Sequence, residues 1–290
     1  MKHVAWIVTG LLVSMSMAPA QTTPPTQQVK LQTDAAKKVA PKPKPSDAAR
    51  AAMTAARETE TPVKGAEGPA RMSALQTSAE AWDKLAKDFS SEPLVASQAS
   101  FRGGELWQRH GSLAQAEQDF LAAARTDTPR YGQRGLFEAA EMQRRLKRND
   151  DALATYAQVV AIDSASTRAY EARISQGRLL ESLGRFDESI GAFRKAVDGA
   201  AKSRQVVEAA NLLAKVLIQK GDFESADGVL AHAEESVHKT IAVDAAQTES
   251  LQKLLDGMSA RKSLQRARDK QNGAAKDAKA LEEAKGASGN

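Results

Sequence analysis

The sequence predicts an all-α protein whose helices stack as a repetitive solenoid, and three observations support this. Aromatic residues make up only 4 % of the 290 residues, while Ala, Leu, Gln, Glu, Lys and Arg are abundant, which favours helix over a β-sandwich or barrel. Apolar residues recur at three- and four-residue spacing from about Arg71 to about Arg268. Small residues also return at intervals of 36 or 37 residues, which indicates internal repeats.

Charge and cysteine content exclude several classes of function. The chain has 41 Lys and Arg against 36 Asp and Glu; without its first 20 residues it keeps 40 basic residues, a net charge of +4. Both signs are spread along the chain, whereas a dedicated nucleic-acid binder concentrates positive charge on one face, so no nucleic-acid partner is expected. Because cysteine is absent, disulfides, thiolate metal ligands and cysteine nucleophiles are excluded.

The first 20 residues have the organisation of a signal peptide. A basic start precedes a mostly apolar, uncharged run from Val4 to Met17, and Ala18-Pro-Ala20 supplies the small residues of a cleavage site after Ala20. An uncleaved membrane anchor is the alternative, but it needs about 18 to 20 apolar residues, and this run has fourteen. We therefore expect an exported protein, periplasmic or secreted, with no stable membrane span after cleavage.

Residues 21–70 are predicted to form a disordered linker. They hold seven of the ten prolines, no aromatic residue and few larger apolar side chains, among them Met53 and Val63. Such a segment buries too little surface to offset the entropy of ordering it. The alternating Pro and Lys from Pro41 to Pro45 favour an extended spacer. The basic stretch from Lys30 to Arg50 is interpreted as a solvated linker, with contact to an anionic surface as the alternative.

Four copies of one pattern follow each other between residues 71 and 238. In the first copy, the turn at Gly111 is followed by small Ala116, then by Phe120 and Ala123; in the second copy the glycine of the turn is missing. Two sets of small residues recur in register: Ala116, Ala152, Ser189 and Ala226 after each turn, and Gly104, Ala140, Gly177 and Ala214 before it. Each copy therefore predicts a helical hairpin in which small residues let neighbouring helices approach closely.

This signature resembles the tetratricopeptide repeat family. Asp127 and Asp163 match the acidic residue that usually ends the second helix in that family, whereas Thr128 and Ser164 replace the usual proline. The spacing also exceeds the common period of about 34 residues, so longer turns between repeats are expected. The resemblance covers about 60 % of the chain, roughly Arg71 to His238.

The resemblance implies a tetratricopeptide-like α-solenoid of antiparallel helix pairs over residues 71–238. About four full repeats are preceded by a half repeat, and capping helices at 239–270 cover the last open face. Residues 271–290 have Leu281 as their only large apolar side chain and are predicted to form a disordered tail. Gly103 is expected to have no packing role beside Gly104, so Gly103→Ala is predicted to be neutral or stabilising.

The sequence predicts no catalytic, cofactor or metal site. Zinc-protease, phosphate-loop, dinucleotide-binding and GxSxG motifs are absent, and the SxxK spacings at Ser250 and Ser259 lack their partner motifs. His232 and His238 lie about 240° apart around a helix and are interpreted as solvated residues rather than metal ligands. The basic cluster from Arg144 to Arg148 is interpreted as cations at a helix C-terminus.

In the family, one face of each first helix lines a concave groove that binds a peptide or a helix. The resemblance places the following residues on that face: Phe101, Glu105 and Gln108; Phe137, Glu141 and Arg144; Ile174, Arg178 and Glu181; Asn211, Lys215 and Ile218. Four apolar side chains among charged ones suit a peptide with apolar anchors, although local packing is the alternative. The family's clamp for a C-terminal carboxylate is not expected, because Phe101, Phe137 and Glu105 occupy its positions.

The expected function is therefore a non-enzymatic interaction scaffold of the bacterial cell envelope that binds a partner protein or peptide in the groove. The first alternative is a binder of anionic envelope polymers, which uses Lys30 to Arg50 and the Lys-rich C-terminal tail. An enzyme of unrecognised type has the least support. The sequence leaves open the oligomeric state and whether the chain's own tail occupies the groove.

Overall fold

A computed structural model describes the backbone of residues 44–287 and the side chains of residues 44–280. The predicted signal peptide at 1–20 and residues 21–43 of the predicted linker, including the basic positions from Lys30 to Lys42, lie outside the described residues. The helices belong to one structural unit that begins at Pro45.

All regular structure within residues 44–287 is helical. The helices are α1 Asp47–Glu58, α2 Thr61–Gly65, α3 Gly68–Asp88, α4 Pro93–His110, α5 Leu113–Thr126, α6 Thr128–Arg145, α7 Asn149–Ile162, α8 Thr167–Ser182, α9 Phe186–Asp198, α10 Ser203–Lys220, α11 Phe223–Val243, α12 Thr248–Asp256 and α13 Ser259–Ala287. A short 3-10 helix, Ala245–Gln247, separates α11 from α12.

Short turns fold these helices into hairpins. In the turns after α4, α8 and α10, Gly111, Gly184 and Gly221 have φ values of 94°, 72° and 81°. Glycine reaches this left-handed region without a steric cost, which lets the chain reverse within two or three residues. The turn after α6, the copy without glycine, places Lys147 in the same region with φ 63°. All four turns therefore share one backbone geometry.

The two predicted sets of small residues lie in the core, as the repeat pattern predicts. Ala116, Ala152, Ser189 and Ala226 have no exposed surface, and the earlier set is also buried. Aromatic rings fill the space beside two of the glycines. A Cβ atom at Gly104 would lie 2.9 Å from the Phe120 ring. The hairpins thus pack through close contact between backbone and ring.

From α3 to α11, each helix packs against the next helix along the chain. In addition, α6 contacts α4 and α8, the first helices of the two neighbouring hairpins. This arrangement is an α-solenoid of helix pairs, which confirms the predicted fold class. At the C-terminal end, Leu251 and Leu255 of α12, Met258 of the following turn and Leu264 of α13 are buried in one cluster with α10 and α11.

The structure differs from the predicted disordered linker over residues 47–65, which form α1 and α2. Alanine and a few larger groups suffice there because they fall on one face: Ala49, Met53, Ala56 and Val63 are buried in a cluster with Leu75 and Trp82 of α3. Ser46 caps α1 by accepting a hydrogen bond from the amide of Ala49. These two helices pack against α3, the helix that the sequence analysis assigned to the half repeat.

The prediction for the C-terminal tail also differs from the structure, because α13 continues to Ala287. The side chains of residues 271–280 are exposed, so packing does not hold this end. Its many Ala, Lys and Glu residues have high intrinsic helix propensity, which favours helix without burial.

The structure gives Gly103 a packing contact that the sequence analysis did not predict. A Cβ atom at this position would lie 2.6 Å from the Asp83 carboxylate and 3.1 Å from that of Asp119. Gly103 therefore lies against two acidic side chains from α3 and α5, and the sequence pattern carries no sign of this contact.

Within residues 44–287, no helix combines the length and the apolar character that a membrane span requires.

Candidate binding groove

The predicted groove residues lie on the first helices of the four hairpins, but they differ widely in exposure. Phe101 and Ile174 are only 4 % and 5 % exposed, so local packing, the alternative considered for them, accounts for most of their surface. Phe137 and Ile218 are half-buried, whereas Arg144, Arg178 and Lys215 are exposed. The face thus has an apolar floor and a charged rim.

A first pocket of about 470 Å³ opens at the N-terminal end of this face, and it contains two of the predicted residues, Phe101 and Glu105. The Tyr131 ring stacks on Phe101 with 5.1 Å between ring centroids. The Arg134 guanidinium lies 4.1 Å from the Phe101 centroid on the same floor. An aromatic floor covered by a planar cation suits a ligand that has both apolar and charged groups.

One ionic network joins the wall of the first pocket to its floor. Glu60, at the end of α1, accepts hydrogen bonds from Trp82 Nε1 (2.9 Å) and from the Arg102 guanidinium, and Arg102 also pairs with Glu105 at 2.7 Å. Partial burial opposes ionisation of Glu60, but the hydrogen bonds from Arg102 and Trp82 hold its pKa below the usual value. The hydrogen bond to Glu60 in turn raises the pKa of Arg102.

A second pocket of about 430 Å³ lies further along the face, and it contains Phe137, Ile174 and Arg178 from the predicted set. The Arg168 guanidinium lies 4.9 Å from the Phe137 centroid, which repeats the ring and cation pair of the first pocket. The Tyr170 hydroxyl lies 3.0 Å from the Gln205 carbonyl oxygen. Burial raises the pKa of Tyr170, so it remains a neutral hydrogen-bonding group.

The other predicted residues line neither of these two pockets: Gln108, Glu141, Arg144, Glu181, Asn211, Lys215 and Ile218. Glu141 is occupied locally, since it accepts hydrogen bonds from Tyr156 and from Arg144. The Asn211 side-chain oxygen accepts a hydrogen bond of 3.0 Å from the Ala260 amide, at the start of α13. α13 therefore contacts the predicted groove face of α10 at Asn211.

Several pocket residues were missed because both pockets lie about one helical turn nearer the N-terminal ends of the first helices than predicted. Arg134 and Tyr131 precede Phe137 by three and six residues, and Thr167 and Tyr170 precede Ile174 by seven and four. Arg134, Tyr170 and Thr167 lie three, four or seven residues before a predicted groove residue, so they share its helix face and could have been found by continuing the series toward the N-terminus. No sequence signal pointed to Arg57 and Lys64, which lie in the segment predicted to be disordered.

A pair of acidic side chains lies outside the groove, in a cavity of about 330 Å³ between α3, α4 and α5. Asp83 accepts a hydrogen bond of 2.9 Å from Trp107 Nε1, and Asp119 accepts one of 3.3 Å from the Gln115 amide. Burial and then the negative charge of Asp83 raise the pKa of Asp119 to about 8. Asp119 is therefore mostly protonated at neutral pH.

Within the described residues, no group of three or more His, Asp or Glu side chains is arranged to hold a metal ion. His232 and His238 are both exposed on α11.

Comparison with known proteins gives one family match. Residues 137–204 and 175–229 match the tetratricopeptide repeat model, and together they span about a third of the chain. No curated protein sequence matches the chain.

Three solved structures of similar fold have low sequence identity. A MamA crystal structure is 15 % identical, with a TM-score of 0.49 over 68 % of this chain and 95 % of that one. MamA from Desulfovibrio magneticus RS-1 (residues 41 to the end) is 15 % identical, with a TM-score of 0.46 over 67 % and 97 %. The tetratricopeptide-like repeats of a Podosopora anserina kinesin light chain are 13 % identical, with a TM-score of 0.45 over 66 % and 95 %.

Proposed function

We propose that this tetratricopeptide-like solenoid is a non-enzymatic scaffold that binds a segment of a partner protein along the face formed by α4, α6, α8 and the first half of α10. The observation that carries the proposal is the pair of open pockets on this face. The first pocket places the Phe101 ring 4.1 Å from the guanidinium of Arg134, which also lines it. The second pocket contains the Phe137 ring and the exposed Arg178, and Arg168 lies 4.9 Å from that ring outside the pocket lining.

The chemistry of the pockets favours a peptide over a small metabolite. Each pocket is open, and each combines apolar and charged lining residues. Aromatic and arginine side chains in partly desolvated pockets are the residue types that dominate the affinity of protein interfaces. Binding by such a face needs no cofactor.

The proposed location is the cell envelope. Its support is the signal-peptide organisation of residues 1–20, with the basic start, the apolar run and the small residues before the cleavage position. The partner proposed on this basis is another envelope protein.

The groove is tested by affinity capture of envelope proteins with purified protein, at about 0.05 and about 0.5 M salt. We expect Phe137→Ala and Arg178→Ala each to reduce capture of the partner at both salt concentrations. Arg194→Ala, which removes an exposed arginine from α9 outside the groove, is the matched control and should bind like the wild type. Circular dichroism verifies that the variants fold.

Two outcomes contradict the proposal. If neither groove variant reduces capture relative to Arg194→Ala, the groove is not the binding site. If capture is lost between low and moderate salt but is insensitive to Phe137→Ala, binding is dominated by exposed charges, and the chain is a binder of anionic envelope polymers through its basic segments.

A further inference from the structure

The first pocket carries an excess of positive charge. Its lining contains Arg57, Lys64, Arg102 and Arg134, against two carboxylates, Glu60 and Glu105. A pocket with this composition favours an anionic group in its ligand, provided that the cations are not already neutralised.

Each oxygen of the two carboxylates already accepts a hydrogen bond from one of two cations, Arg102 or Arg134. The two oxygens of Glu60 accept hydrogen bonds from Arg102 and, at Oε1, also from Trp82. Glu105 accepts from Arg102 at 2.7 Å through Oε2 and from Arg134 at 3.1 Å through Oε1. No carboxylate oxygen of the pocket remains to pair with the other two cations.

Arg57 and Lys64 therefore supply the uncompensated charge. Both side chains are exposed, and neither forms an ion pair with a carboxylate of the described residues 44–280. They come from α1 and α2, which lie outside the repeats and form the outer wall of the pocket. The floor opposite them is aromatic, formed by Phe101 and Tyr131.

The second pocket does not share this excess. Arg168 pairs with Glu171 at 2.7 Å, and Arg178 lies 3.4 Å from Glu208. The pocket lining itself contains one cation, Arg178, against two carboxylates, Glu171 and Glu208, so the two ends of the groove differ in charge.

We infer that the first pocket binds an acidic segment of the partner protein, with side-chain carboxylates against Arg57 and Lys64 and an apolar side chain on the aromatic floor. This inference rests on the proposed function and adds the chemistry and direction of the ligand: its acidic part lies at the N-terminal end of the groove.

The test uses the full chain and two peptides that carry fluorescein on the N-terminus and an amide at the C-terminus; a version of the glutamate peptide with a free C-terminal carboxylate is measured beside them. One peptide alternates glutamate and leucine, and the other alternates lysine and leucine. In an extended peptide, alternation places all charges on one side and all apolar groups on the other, as the pocket requires. Fluorescence anisotropy at about 0.05 M salt gives the affinities.

We expect the glutamate peptide to bind and the lysine peptide not to bind. Arg57→Glu combined with Lys64→Glu should weaken binding of the glutamate peptide by about tenfold or more, because two attractions become repulsions. Lys262→Glu, an exposed reversal on α13 far from the pocket, is the control and should leave the affinity unchanged. Both pocket substitutions are on exposed side chains, so they should not impair folding.

Three results would overturn the inference: equal affinity for the two peptides, an effect of the double reversal no larger than that of Lys262→Glu, or binding only by a glutamate peptide with a free C-terminal carboxylate. The last result would assign the pocket to a chain terminus instead. If any of these occurs while Phe137→Ala still abolishes capture of envelope proteins, the proposed function stands and only the inference about the acidic segment fails.

Discussion

Gly177 lies directly against the ring of Phe193: a Cβ atom on residue 177 would come within 2.4 Å of that ring. The contact joins the two helices of the third hairpin, α8 and α9, and Phe193 has no exposed surface. The equivalent contact in the first hairpin, between Gly104 and Phe120, leaves 2.9 Å. The repeat therefore depends on the absence of a side chain at these two positions.

Gly177→Ala should lower the free energy of unfolding by about 1 to 3 kcal/mol, because the ring is enclosed and cannot move away without disturbing the core. The control is Gly191→Ala on α9, where a Cβ atom meets nothing within 4 Å. Since alanine is the better helix former, the control should raise stability by about 0.5 to 1 kcal/mol. Denaturant unfolding measures both, and equal effects of the two substitutions would contradict the packing account.

Lys147→Gly should stabilise the protein by about 1 kcal/mol. Lys147 is exposed and has φ 63°, a left-handed conformation in which a side chain is strained and glycine is not. The reciprocal change is Gly184→Ala, at φ 72° with open space around the Cβ position, which should cost about the same. Thermal melting of both variants checks the prediction, and a destabilised Lys147→Gly protein would refute it.

The stability of the wild-type protein should fall as pH rises from about 4 to about 8. An unfolded aspartate has a pKa of about 3.9, whereas burial and the adjacent Asp83 raise that of Asp119 to about 8. Between these values the folded protein keeps a proton that the unfolded chain has lost, so a higher pH favours unfolding. Above about pH 8 this contribution is constant.

Asp119→Asn tests this assignment, because its amide does not titrate and donates a hydrogen bond to Asp83. We expect the variant to lose this contribution and to be more stable than the wild type at about pH 8. Asp256→Asn, which changes an exposed carboxylate on α12, should keep the wild-type profile. Chemical unfolding over a pH series measures the free energy of unfolding of each variant. If Asp119→Asn shows the same pH dependence as the wild type, the Asp83 and Asp119 pair is not the source of that dependence.

Glu60→Ala should loosen α1 and α2 from the rest of the solenoid. The Glu60 side chain is only 17 % exposed and connects these helices to Arg102 and Trp82, and loss of such a partly buried partner costs about 1 to 3 kcal/mol. Hydrogen exchange of the amides in residues 47–65 should accelerate. Glu58→Ala, an exposed change two residues earlier, should not accelerate it; equal exchange in both variants would show that Glu60 does not hold the segment.

The repeat architecture was predictable from the sequence because packing imposes a periodic constraint on the residues. Ala116, Ala152, Ser189 and Ala226 occupy equivalent, fully buried positions, so the preference for a small side chain recurs at each repeat and is visible as a period. The half repeat and the four hairpins were predicted from this period, and the cap from a separate stripe of leucines.

The pockets were less predictable, because they depend on contacts that occur once. Five of the residues that the family resemblance assigns to the groove line the two pockets: Phe101, Glu105, Phe137, Ile174 and Arg178. The first pocket also needs a wall from α1 and α2. These helices are held by small buried alanines and by one ionic contact from Glu60, features that in a sequence look like those of a linker.

The proximity of Asp83, Gly103 and Asp119 also has no sequence signature. The three residues lie on three different helices, and neither periodicity nor composition links them. Only the packing of α3, α4 and α5 shows that a glycine is needed beside two carboxylates.

Site-specific photo-crosslinking in living cells tests the central claim, that the groove face binds a partner, most directly. Position 178 is the better site on this face because Arg178 is exposed while its neighbour Ile174 is buried, and position 194 on α9 is the control outside the groove. The account predicts that position 178, like position 137, repeatedly captures one envelope protein that position 194 does not capture. Equal capture from positions 178 and 194, or none from either groove position, would contradict it.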